Sequence, residues 1–189
     1  MVLTRVTVLK IKKIEIKIRY NDFMFTKIIA LTQKYVLTIE TTFYLLAFMI
    51  PFAISGPQIL TGTVVNLLLY VTAAKLNQKN WWIIAALPSL GAFSHGVIFG
   101  PATFYLFYFL PFIWMSNLIL MYIYKANKNF IFASAAKTVF LFATANIYFS
   151  FHIVPKLFVT TMGLLQLETA LAAGVIAIAI FYERNRRTV

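Results

Sequence analysis

The chain has no cysteine. That absence excludes disulfides, thiolate metal sites and cysteine nucleophiles. Acidic residues are scarce: five Asp and Glu stand against seventeen Lys and Arg, giving a formal net charge of +12. No paired carboxylates, no Ser-His-acid spacing and no Gly-rich phosphate loop occur. An enzyme is therefore not the expected reading. An ATP-binding motif is also missing, so active uptake would draw on an outside energy source. The two histidines, His95 and His152, lie at different depths and lack the i, i+4 spacing of a metal pair. No metal and no cofactor is expected.

Charge of either sign is rare, at 12%, while 61% of the residues are apolar. This composition points to an all-α polytopic membrane protein, with little chain left for a soluble domain. The positive charges lie between and beyond apolar segments. That placement serves topology and anionic lipid and does not point to nucleic acid. The N-terminal stretch lacks the compact apolar region and small-residue cleavage site of a signal peptide, so none is expected.

Residues 1–27 form a basic head. Ile14, Ile16 and Ile18 alternate with charge, a strand period, yet Ile11, Ile14 and Ile18 also fit a helix face. A segment lying on an anionic leaflet and an unstructured tail both suit it. Residues 28–183 read as a domain of six membrane helices: about Ile28–Phe52, Gln58–Leu76, Asn80–Phe99, Pro101–Tyr124, Asn129–His152 and Thr160–Tyr182. Each is near the roughly 20 residues that cross a bilayer. Residues 184–189 form a basic tail. The head, Lys75 and Lys79, Lys125 and Lys128, and Arg184, Arg186 and Arg187 share one side. The positive-inside rule puts both termini in the cytoplasm, with Trp81 and Trp82 at that interface. No internal repeat is present, so an inverted-repeat transporter has no support.

The stretch Leu87–Asn117 is almost wholly apolar yet carries Pro88, His95, Gly96, Gly100, Pro101, Pro111 and Asn117. A simple anchor needs none of these, because each proline frees a backbone group that hydrocarbon cannot satisfy. Gly100-Pro101 reads as a tight reversal that brings His95 to Phe104, Tyr105, Phe107 and Tyr108. Counting along the helices at about 1.5 Å per residue, Asn66, His95, Asn146, Gln166 and Glu168 share a level roughly 9–13 Å below the outer surface. With Tyr105 and Tyr108 they are the candidate substrate-binding residues of an outward-facing pocket. Glu40, Asn117 and Lys137 form a second polar layer nearer the cytoplasm. A lone lysine there costs about 2.5–3.5 kcal/mol on insertion scales, and Glu40 is its nearest carboxylate by depth, with Glu168 the alternative. Lys137, Asn117 and Asn66 read first as interhelical contacts. His95, Asn146 and Gln166 fit pocket and contact alike. The pairs Ala170/Gly174 and Ala173/Ala177 give the last helix a smooth face, for the bundle or for a partner. The outer wall carries no basic residue at pocket depth, which favours an aromatic, uncharged or weakly polar ligand.

From about Pro51 to Ile180 the chain resembles the substrate-binding S components of energy-coupling factor (ECF) transporters. The carriers are Pro57-Gln58 with Gly62, Val65-Asn66, Pro88-Ser89-Leu90, His95-Gly96, Gly100-Pro101, Pro111-Phe112, Asn117, Ala136-Lys137 and Gln166-Leu167 before Thr169-Ala170. The resemblance implies a six-helix bundle in a prokaryotic cell membrane that binds a vitamin or related micronutrient near the outer face. It also implies a membrane coupling protein and a pair of ATPases as partners, with toppling of the loaded bundle. Many S components dock the coupling protein through an Ala-xxx-Ala surface on helix one. Here Ala30, Thr38, Thr42 and Ala47 offer no such pair. A non-transport scaffold and a small membrane enzyme using His95 or Glu168 are the competing classes.

Overall fold

The structure is a computed structural model that describes residues 24, 26–27, 29–32, 34, 39–54, 57–96 and 100–186. It forms two units, Met1–Thr41 and Thr42–Val189. In the first unit the described residues are helical. The two readings of the basic head fall mainly on residues 1–23, outside the described residues.

The second unit is helical throughout, with no strand among the described residues. Helix α1, Ile39–Ala53, enters it at Thr42. There follow α2 Gln58–Lys75, α3 Trp81–His95, α4 Leu106–Asn127, α5 Phe130–Ser150, α6 Leu157–Thr160 and α7 Gln166–Arg186. Short 3-10 turns at Gln78–Asn80 and Gly100–Tyr105 lead into α3 and α4. The expected boundaries shift by a few residues. Helix α7 runs on to Arg186, so the tail begins as helix.

Local chemistry explains the ends. The Asn129 side chain accepts from the Phe132 amide at 3.1 Å and caps α5. Lys128 before it has φ 56°, so α4 and α5 reverse within two residues. Helix α3 stops at Gly96, whose φ of 77° a residue with a Cβ seldom adopts. The reversal between α3 and α4 thus begins at Gly96, with Gly100 and Pro101 already in the turn that leads into α4.

Three stretches are long and apolar enough to cross a membrane: Thr103–Asn127, Phe130–Ser150 and Leu157–Tyr182. Large apolar side chains cover their outer faces, among them Phe107, Met115, Val139, Phe142, Leu164 and Ile178. Asn66, Asn117, Ser134 and Lys137 lie inside. An apolar exterior around a polar interior suits hydrocarbon better than water.

Two apolar clusters fill the unit. One joins Leu69, Tyr70, Ile84, Leu120, Met121, Ala133 and the small residues of α7. The other joins Leu106, Phe109, Leu141, Ala145, Phe158 and Met162. On α4 and α5 the buried polar residues Asn117 and Lys137 fall between these clusters in sequence. Ala170, Ala173 and Ala177 are fully buried, and a Cβ on Gly174 would run into the Phe130 ring. The small face is therefore spent inside the bundle and is not open to a partner. Trp81 is also buried, against Tyr122, so only Trp82 of the expected interfacial pair is exposed.

Candidate functional site

Pro88 sits inside α3 and cannot donate to the preceding turn. Carbonyls of that turn also take side-chain donors. Ser89 Oγ donates to the Ala86 carbonyl at 2.9 Å, and Asn117 Nδ2 of α4 donates to the Ala85 carbonyl at 2.8 Å. The second bond fixes the Asn117 amide, so its oxygen must face away from α3. Lys137 of α5 meets that oxygen, donating to Asn117 Oδ1 at 2.8 Å. The same ammonium donates to Asn66 Oδ1 of α2 at 2.6 Å.

Asn66 is oriented in turn by α7. Its Nδ2 donates to Thr169 Oγ1 at 3.1 Å, and the Thr169 hydroxyl donates to the Gln166 carbonyl at 3.2 Å. Hydrogen-bond direction thus runs outward from Lys137 along both arms. Each amide spends its donor on a neighbouring helix and presents its oxygen to the lysine. Gly62 permits this approach of α2 to α7, since a Cβ there would lie 2.9 Å from Thr169 Cγ2.

A cavity of about 130 Å³ opens beside this hub. Lys137, Asn66, Asn117, Gln58, Ser89 and Gln166 supply much of its polar lining, with Thr61, Thr161 and Thr169. Pro51, Val65, Pro88, Leu106, Ile113 and Met162 are among its apolar walls. Gln166 makes no side-chain hydrogen bond among the described residues. No Asp, Glu or His is among the lining residues.

The wall from α7 has an unusual cause. Between α6 and α7, residues Thr161–Leu165 form a π-helical segment. Such a segment widens the helix and shifts the faces that follow. Here Thr161, Met162, Leu165, Gln166 and Thr169 all reach the cavity. Thr161 Oγ1 donates to the Leu157 carbonyl at 3.0 Å, serving a backbone that the widening loosens. Gly163 makes room on the opposite side, where a Cβ would stand 2.6 Å from the Phe142 ring.

The candidate residues divide as follows. Asn66 and Gln166 line the cavity, and Asn117 and Lys137 of the expected second layer line it with them. One level results instead of two because counts along a helix place Cα atoms, whereas the lysine ammonium travels on a four-carbon stem. Two amides hold Lys137, and no carboxylate is among its partners in the described residues. Glu40 belongs to the first unit. His95, Tyr105, Tyr108, Asn146 and Glu168 lie outside the lining. His95 meets the Phe52 ring edge-on at 6.2 Å, at the end of α3. Tyr105 packs on Phe158. Tyr108 and Glu168 are exposed. Asn146 donates to the Phe142 carbonyl of its own helix at 2.7 Å. Thr161 and Thr169 were not foreseen, because a threonine in an apolar helix usually bonds its own backbone and leaves no pattern to read.

No protein-family profile, curated protein or solved structure matches the chain.

Proposed function

We propose that this chain is a membrane-embedded binding subunit that captures a small molecule from the outer side. The observation that carries the reading is the cavity, built where α2, α3, α4, α5 and α7 converge on Lys137. Apolar walls with a few oriented polar groups are what a small ligand requires.

The wider proposal is a six-span protein with both termini in the cytoplasm. Its support is the sorting of basic residues, together with Lys75 standing over the Phe181 ring at 5.2 Å. That contact brings the basic end of α2 beside the C-terminal part of α7. The resemblance to S components of ECF transporters suggests that a coupling protein and ATPases drive release. Burial of the small face of α7 leaves docking to another surface.

The test is mass spectrometry of small molecules that co-purify with the gently solubilised protein, followed by thermal protection with each compound found. A specific, saturable rise in melting temperature is expected. A protein that carries no compound and gains no protection would be a scaffold, locked by its polar hub.

A further inference from the structure

Resting on that binding reading, we propose that the ligand is a small organic anion whose carboxylate is taken by Lys137. Three observations converge. The Lys137 ammonium is 3% exposed, and its two bonds go to neutral amide oxygens. An ammonium has three donors. The third has no acceptor among the described residues, and Lys137 borders the cavity. Neutral amides orient the charge without cancelling it, and a buried cation is favoured only when paired. The cavity is where an anionic partner can reach the ammonium.

The polarity of the hub makes the same choice. Both flanking amides have turned their nitrogens to other helices, so the site presents acceptors to the lysine and the lysine to the cavity. The Gln166 amide, without a side-chain partner among the described residues, gives a second donor for a carboxylate. A cationic ligand would face Lys137 with no carboxylate to receive it. Volume sets the size. A cavity of roughly 150 Å³ accommodates benzene, so about 130 Å³ admits one ring or a short chain. This replaces the expectation of an uncharged ligand, which placed Lys137 away from the pocket.

The probes are two acid–amide pairs, benzoate with benzamide and butyrate with butyramide, which differ in charge at nearly constant shape. Affinity is read from thermal protection of the full chain in detergent at fixed ionic strength. The acids should protect saturably and the amides should not. Lys137→Met should weaken the acids at least about tenfold, the loss of a hydrogen bond to a charged group. Asn66→Asp is the second variant, for the case in which Lys137→Met fails to fold. It keeps the lysine and the cavity but supplies an internal carboxylate, and should weaken the acids as much; the Thr169 hydroxyl then turns from the Gln166 carbonyl to donate to that carboxylate, in place of the bond the Asn66 amide gave it. Acids and amides that bind alike, in wild type and both variants, would overturn the anion assignment and leave the binding reading standing. If no probe protects the wild type, the anion assignment falls. The binding reading falls with it only if no compound co-purifies either.

Discussion

Replacing Asn117 by Leu removes two hydrogen bonds at one stroke. The Ala85 carbonyl near Pro88 loses its 2.8 Å side-chain donor, and Lys137 loses one of its two acceptors. A bond to a charged group contributes about 1.5–3 kcal/mol and a neutral one about 1 kcal/mol. Asn117→Leu should therefore cost about 3 kcal/mol, or roughly 6–12 °C of melting temperature at this chain length. Lys137→Met removes both charge-assisted bonds but also a buried cation whose desolvation costs several kcal/mol. Its net effect should stay within about 1 kcal/mol. With the cation gone, Asn117→Leu removes only the side-chain bond to the Ala85 carbonyl, so the double variant should be more stable than Asn117→Leu alone. The coupling should be about 2 kcal/mol, well above the scatter expected for independent sites. Thermal unfolding of the four proteins in one detergent measures it. Additive losses would refute the claim that Lys137 is held through Asn117.

Gly91→Ala should cost about 2 kcal/mol in the same assay, because the new methyl would meet the backbone carbonyl of Phe48, which cannot swing aside. Equal stability would mean that α1 and α3 are further apart than described. In this Cys-free chain, a cysteine at Lys156 should react with an impermeant reagent added outside, and one at Asn127 should not; the reverse pattern would invert the topology. Ala92→Leu, which pushes a larger side chain into the cavity, should raise the melting temperature or leave it unchanged and lower ligand affinity more than tenfold. Unchanged affinity would place the ligand elsewhere.

Much of the helical fold was legible because apolar runs mark helix bodies and proline and glycine mark their ends, which located Phe130–Ser150 and Gln58–Lys75 to within a few residues. The site was harder to read. Depth along a helix says nothing about azimuth, and Asn146, counted to the level of the pocket, turns to its own backbone. Glu168 neighbours Thr169 yet points outward. The π-helical segment at Thr161–Leu165 rotates everything after it, and only Gly163 hinted at it. The aromatic run after Gly100 read as a pocket wall, whereas Tyr105 joins the Phe109 and Phe158 cluster and Phe104, Phe107 and Tyr108 face outward.

The cost built into this region argues for a purpose beyond rigidity. A lysine deep in a membrane helix costs about 2.5–3.5 kcal/mol on insertion scales. A bundle that needed only to hold its helices together could place leucine at position 137 and avoid that cost. Pro88, the π-helical segment and the lysine hub all border the same cavity. Irregular backbone at membrane depth persists where it lines a cavity. A ligand that neutralised Lys137 would offset the cost of the buried charge, so binding and stability should rise together in this protein.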